Sequence, residues 1–133
     1  MVAICFNVNA QLVVKVIDGD TYKVLINGKL QNVRLQNVDA PELGQCFGKN
    51  IKDSVTILLQ NKVVKVVGSK TDLYGRLIAK ISIKGMSLDS LLIAKGWAWF
   101  YTKYSKQLDL KIYENIARQK GLGTWQCPEP VPP

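Results

Sequence analysis

Three short segments, each carrying one or two carboxylates beside glycine or proline, punctuate the chain: Asp18-Gly19-Asp20-Thr21, Asp39-Ala40-Pro41-Glu42 and Asp72-Leu73-Tyr74-Gly75-Arg76. The chain contains no histidine, so a divalent ion at these carboxylates would be held through oxygen, which favours calcium, magnesium or manganese. Calcium suits a small, flexible all-oxygen site best. Asp18 and Asp20 stand two positions apart at a strand end, a spacing that leans both side chains to one side. Taken alone, Asp18-Gly19-Asp20 reads first as an ordinary acidic turn.

Arg34 and Arg76 are two of only three arginines, beside fifteen lysines. A chain that uses lysine for charge elsewhere places arginine here for its planar fork, which grips phosphate through two parallel hydrogen bonds. Arg34 lies between Val33 and Leu35, so strand alternation turns it away from their apolar face. By itself it is a surface arginine. Joined by Arg76 and a cation, it can offset the charge that gathers on a phosphorus under in-line attack, where one arginine can be worth about a thousandfold. Without histidine, and with no serine beside a base, a covalent triad has no support. Water is then the nucleophile. Glu42 is the candidate general base, because its longer side chain reaches a water near cation and phosphate. Together these residues describe hydrolysis of a phosphodiester.

Strands must hold these clusters. Leu12-Val13-Val14-Lys15-Val16-Ile17, Tyr22-Lys23-Val24-Leu25-Ile26 and the run from Leu30 to Leu35 carry strand character. Asn27-Gly28 predicts a two-residue hairpin turn, since both residues tolerate positive φ, and the first three strands therefore form a meander. Ile51, Val55, Leu58 and Leu59 follow a one-face helical spacing that predicts a helix from about Gly48 to Gln60. Lys62 to Val67 and Leu77 to Ile83 return to strand character. Lys84-Gly85 makes a turn, Ser87 caps a helix carrying Leu88, Leu91 and Leu92, and Gly96 closes it. A last helix, with Leu108, Ile112 and Ile116 on one face, ends near Gly121. The predicted class is mainly β with helices (α+β): a five-stranded Greek-key barrel of the OB type with about three α-helices.

At 133 residues and 47% hydrophobic content the chain fits one domain. Its net charge of +8 predicts attraction to a polyanion, nucleic acid or an anionic membrane, with generic solubility as the alternative. No apolar run approaches the roughly 18 to 20 residues that span a bilayer. Met1-Val2-Ala3-Ile4-Cys5-Phe6, followed by Asn7-Val8-Asn9-Ala10, reads like the apolar end of a signal peptide closing before Gln11, without the basic n-region. Residues 1–11 are thus a signal-peptide remnant or an extra N-terminal segment. The tail 127–133 is proline-rich and extended on the surface. Cys5, Cys46 and Cys127 lack the spacing of a zinc site. In an exported protein Cys46 would pair with Cys127, tying the tail to the loop after Glu42 and leaving Cys5 in the segment export removes. Three unlinked thiols are the alternative.

Val16-Ile17-Asp18-Gly19-Asp20-Thr21, then Arg34-Leu35 with Val38-Asp39-Ala40-Pro41-Glu42, then Asp72-Leu73-Tyr74-Gly75-Arg76 resemble the staphylococcal nuclease, or thermonuclease-like, family in order and spacing. Gly96-Trp97-Ala98 and Gly123-Thr124-Trp125 extend the resemblance, which covers a domain at 12–126. It implies an OB-type barrel and calcium-dependent hydrolysis of DNA and RNA to products ending in a 3′-phosphate. One Ca²⁺ is implied, with Mg²⁺ or Mn²⁺ as alternatives. The substrates implied are single-stranded DNA and RNA and denatured or breathing duplex. The expected protein is a monomer without a membrane partner, secreted or in the cell envelope, with the cytoplasm as the alternative. By position, Asp20 and Asp39 correspond to metal ligands, with the backbone carbonyl of Ala40 as a third, and Asp18 and Thr21 stand behind them. Glu42 corresponds to the general base, or to a residue that orders water. Arg34 and Arg76 correspond to the phosphate clamps, Tyr74 lies near a terminal phosphate, and Tyr104 matches a tyrosine near the base.

This chain departs from the family at three of these places. Ala40 stands where the family has threonine, which leaves a main-chain ligand intact. Leu73 replaces a lysine that touches phosphate, a change bearing on affinity or end preference. Thr102 falls where a second tyrosine is expected, and Tyr101 or Trp99 could supply the missing stacking platform. Packing of the barrel end against the last helix is the other reading of Trp97 and Trp99. The competing functional class is a catalytically silent barrel that binds nucleic acid or a protein ligand. The joint presence of Arg34, Glu42 and Arg76 favours the enzyme, since binding needs no base. A basic membrane-surface or structural module would explain the charge alone.

Overall fold

The computed structural model describes residues 10–101, 107–130 and 132–133. β1 (Gln11–Asp18), β2 (Thr21–Ile26) and β3 (Lys29–Leu35) form an antiparallel meander. Asn27 and Gly28 turn the second hairpin with φ of 50° and 78°, the two left-handed residues whose twist matches that of the flanking strands. Alternation sends Tyr22 and Val24 of β2 and Val33 and Leu35 of β3 into the core, and a register shift in β1 between Val13 and Lys15 lets Val13 and Val16, three positions apart, both face it.

The chain then passes through β4 (Val38–Asp39) and α1 (Gly48–Leu59) and returns as β5 (Val63–Thr71) and β6 (Leu77–Ile83). β5 lies antiparallel to both β1 and β6. β6 runs parallel to β3, with Arg34 opposite Ile78, and this pairing closes the sheet into a barrel. The result is the expected α+β architecture, a five-stranded OB-type barrel with three α-helices. β7 (Met86–Ser87) extends β6 as a short hairpin, and β8 (Trp99–Phe100) pairs with β4, setting Trp99 opposite Asp39.

α1 buries Ile51, Val55 and Leu59 as its periodicity predicts. Between β7 and β8, α2 (Leu88–Ala94) buries Leu88 and Leu92, with Leu91 packed at the margin. Ser87 occupies its N-cap position, but the hydroxyl donates to the Asp89 carboxylate rather than capping a backbone N–H. α3 (Leu108–Lys120) departs from the reading of its apolar face: Leu108, Ile112 and Ile116 are exposed, and Leu110, Glu114 and Ala117 are buried instead. The reason is polar. Glu114 accepts the Phe100 N–H at 3.1 Å and pairs with Lys111 at 2.7 Å and Arg118 at 3.7 Å. Satisfying a buried carboxylate against β8 fixes the rotation of the helix.

Register has a direct consequence for chemistry. Thr21 lies opposite Arg34 and Arg34 opposite Ile78, so the start of β2, the end of β3 and the start of β6 share one rim of the barrel. All three clusters are delivered to that rim.

Candidate active site

β1 ends at Asp18 and β2 begins at Thr21, so Asp20 sits in a tight connection whose shape is set from below. The buried Tyr22 hydroxyl donates to the Gly19 carbonyl at 2.7 Å, and Asp18 Oδ1 accepts the Asp20 N–H at 3.1 Å. Asp20 Oδ1 then accepts the Thr21 hydroxyl at 3.1 Å and Oδ2 accepts the Ala40 N–H at 2.7 Å. Arg34 reaches into the same place. Its Nη2 lies 2.9 Å from Asp39 Oδ1 and 3.4 Å from Asp20 Oδ2, while Nη1 donates to the Leu35 and Val38 carbonyls. Two carboxylates from different elements therefore converge on one guanidinium edge.

That edge does not fully compensate them. Burial pushes the Asp20 carboxyl up to about 7, with Asp18 raising it further and Arg34 only partly opposing. Asp39 is also raised, by burial first; Arg34 opposes, and the neighbouring Glu42 adds to the rise. Closely placed carboxylates short of positive charge suit a hard cation, which needs oxygen donors and tolerates waters in its shell. Among the described residues no group of three or more histidine, cysteine or acidic side chains gathers as a metal cluster. The remaining ligands would have to be main-chain carbonyls or water. On this donor chemistry, Asp20, Asp39 and the Ala40 carbonyl are the groups that would hold an ion.

Beside them opens a cleft of about 810 Å³ whose walls include Arg34, Asp39, Lys70, Asp72, Arg76 and Tyr101. It lies within the usual range of small-molecule sites. Arg76 is braced by its own loop: Asp72 Oδ2 accepts Nε at 2.7 Å, and Oδ1 accepts the Arg76 and Tyr74 N–H groups at 3.0 and 2.9 Å. Burial tends to raise the Asp72 carboxyl, but these hydrogen bonds and the guanidinium charge outweigh it and hold it below its ordinary value. Tyr74 is exposed beside Arg76, with the guanidinium 5.4 Å from the ring centre, and Leu73 is fully exposed. Glu42 is exposed on the loop between β4 and α1.

The structure thus brings Asp18, Asp20, Thr21, Arg34, Asp39 and Ala40 into direct contact, and lines the adjoining cleft with Arg76 and Tyr101. Trp99 packs on Trp125, with ring centres 4.4 Å apart, and Arg118 stands over both rings; it joins the barrel end to the last helix. Thr102 and Tyr104 lie outside the described residues. Cys46 and Cys127 are joined by a disulfide across 81 residues of sequence. Sequence reading missed the supporting residues. Tyr22 reads only as part of the second strand, Asp72 as one more cluster carboxylate, and Gln45, which accepts the Glu42 N–H at 2.7 Å, gives no signal beyond its proximity to Glu42.

A barrel with paired carboxylates and arginines at one rim defines a class of phosphate-handling OB-fold proteins, and comparison with known proteins narrows it. The family model described as "Staphylococcal nuclease homologue" matches residues 32–127. An "Uncharacterized endonuclease" of Escherichia coli O157:H7 is 35% identical over 131 residues, covering 98% of this chain and 85% of that protein. A "Micrococcal nuclease" of Shigella flexneri is 34% identical over 132 residues, covering 91% of this chain and 76% of its own. An "Uncharacterized endonuclease" of Haemophilus influenzae is 35% identical over 127 residues, covering 94% and 71%. The chain belongs to the staphylococcal nuclease family.

Proposed function

We propose that the protein is a divalent-cation-dependent endonuclease, with calcium as its ion, that hydrolyses DNA and RNA by in-line attack of water and leaves 3′-phosphate ends. The observation that carries this reading is the convergence of Asp20 and Asp39 on Arg34 at the edge of a cleft that also holds Arg76. Family membership and the names of the relatives agree with a nuclease. An ion held by Asp20, Asp39 and the Ala40 carbonyl would supply Lewis-acid stabilisation of charge on the phosphate.

The chain's own residues do the rest. Arg34 and Arg76 hold the phosphate from two sides of the cleft, and their charge matters most as negative charge gathers on the phosphoryl oxygens. Asp72 keeps the Arg76 fork oriented. Glu42 takes the proton of the attacking water as the bond from phosphorus to the 5′ oxygen breaks, and the leaving 5′ oxygen takes its proton from solvent water to become a hydroxyl. Tyr74 and Tyr101 offer rings for nucleotide contacts, and unpaired bases are the natural partners of such rings. The nuclease domain occupies 12–126, acts as a monomer, and works in an oxidising compartment outside the cytoplasm, a location the Cys46–Cys127 disulfide supports.

The test is cleavage of single-stranded DNA by the purified protein with calcium or with a chelator, followed by identification of the product ends. Calcium-dependent cleavage to 3′-phosphates is expected. Binding without cleavage under any divalent ion would make the protein a recognition module instead.

A further inference from the structure

Glu42 stands on an exposed loop, yet a general base must be held to a fraction of an ångström. The loop is closed on itself by side-chain and backbone hydrogen bonds. Gln45 Oε1 accepts the Glu42 N–H at 2.7 Å, the Gln45 N–H donates to the Glu42 carbonyl at 2.9 Å, and the Gly48 N–H donates to the Gln45 carbonyl at 2.9 Å. Gly48 is pressed so close that a Cβ there would lie 1.9 Å from the Glu42 carbonyl oxygen. Only glycine permits that approach.

The same loop borders a small cavity of about 310 Å³ lined by Pro41, Gln45, Cys46, Thr124, Cys127 and Glu129. One covalent bond crosses this gap, the disulfide from Cys46 to Cys127. Its far end is a fixed point. Cys127 is buried and follows the 3₁₀ turn Gly123–Gln126. That turn is anchored by the Thr124 N–H on the Gly96 carbonyl at 2.8 Å and by Arg118, 4.2 Å from the Trp125 ring centre.

We infer that the Cys46–Cys127 disulfide and Gln45 are positioning elements for Glu42, the disulfide tying the base loop to the C-terminal turn and Gln45 closing the loop on itself. The inference rests on the reading of Glu42 as base. A loop that keeps only one of these ties would still let substrate reach Arg34 and Arg76, but would spend less time with the carboxylate in line. Misplacement of about 1 Å can cost about a hundredfold in rate.

The experiment compares the wild type with the Cys46→Ser/Cys127→Ser double variant and with Gln45→Ala, which leaves the disulfide intact. Each is assayed on single-stranded DNA with calcium, at a temperature where circular dichroism shows it folded, in both the Glu42 and the Glu42→Gln background. Amide exchange at Gln45 and Gly48 is followed without substrate. With Glu42 present, each change should lower kcat about tenfold or more and leave KM within about twofold, a fraction of the cost of full misplacement. In the Glu42→Gln background the same changes should cost nothing further, and the two amides should exchange faster in the cysteine variant. Unchanged kcat, a loss confined to KM, an equal loss in both backgrounds or unchanged amide protection would overturn the inference. Full turnover by Glu42→Gln alone would remove the underlying assignment of the base, a separate result. Should the cysteine variant not fold at any assay temperature, Gln45→Ala decides by the same kinetic criteria.

Discussion

At the scale of single residues, the proposed roles divide into groups that would bind and one that would react. Glu42 is exposed and stands near Asp39, while the ion pairs of Arg34 go to Asp20 and Asp39, so on the proposed mechanism replacing it should leave phosphate binding in place. Glu42→Gln is expected to reduce turnover by about 10²- to 10⁴-fold, the usual worth of a positioned acid or base. Nucleotide affinity, measured by titration without turnover, should stay within a few-fold. A variant that turns over normally would exclude Glu42 from the mechanism. Arg76 is held edge-on by Asp72 through Nε, a geometry lysine cannot copy. Arg76→Lys should therefore lose about a hundredfold or more in kcat/KM despite retaining the charge; near-normal kinetics would mean that charge alone is needed. Residue types and order mark Asp20, Arg34 and Asp39 as site residues, but sequence alone assigns the carboxylates to a cation and the arginine to phosphate; that Arg34 pairs with both carboxylates was decided by the fold. Tyr22 and Gln45 were not legible, since a hydrogen bond to a carbonyl or an N–H leaves no mark in sequence.

At the scale of elements, the loop from Asp72 to Arg76 shows how a turn braces an arginine at the edge of the cleft. One carboxylate satisfies two backbone N–H groups and one guanidinium. Because the folded Asp72 carboxyl is held below its ordinary value of 3.8, its contribution is complete above that value and is lost as pH falls through the lower folded one. The loop should therefore keep one conformation from about pH 8 to about pH 5, as seen in Tyr74 and Arg76 resonances. Asp72→Asn should loosen it across that whole range and lower activity; a wild-type loop that opens near pH 6 would contradict the assignment. α3 teaches a different lesson. Its sequence displays the face Leu108, Ile112 and Ile116, but the helix turns that face outward and buries Glu114. Since Glu114 links α3 to the Phe100 N–H, and β8 in turn pairs with the strand carrying Asp39, Glu114→Ala should cost about 1 to 3 kcal/mol in urea unfolding, the usual cost of leaving a buried N–H without its acceptor. A cost below about 1 kcal/mol would show that apolar contacts alone dock the helix.

For the whole molecule, the net charge of +8 acts over a longer range than any contact. It should draw single-stranded nucleic acid to the cleft and make binding depend on counterion release. With about three phosphates neutralised, affinity for single-stranded DNA should fall by about tenfold or more between about 50 and 200 mM salt. A flat salt response would mean that the basic surface does not track a phosphate backbone. The disulfide works at the same scale, joining a loop near the middle of the barrel sequence to the C-terminal end of the domain.

The sequence by itself determined the class of chemistry and the kind of fold. Carboxylate clusters and two arginines in the order of the staphylococcal nuclease family point to nuclease chemistry, and alternating strands with an Asn27-Gly28 turn specify a β meander that must close or be covered. These follow from local rules, in which residue type and spacing suffice. Only the tertiary structure decided what depends on partners distant in the chain. It set the parallel pairing of β3 with β6 that brings Arg34 and Arg76 to one cleft, the burial that lifts Asp20, and the rotation of α3 about Glu114. Each is settled by which surface lies opposite in space, and the free energy of burial or of pairing belongs to both partners at once.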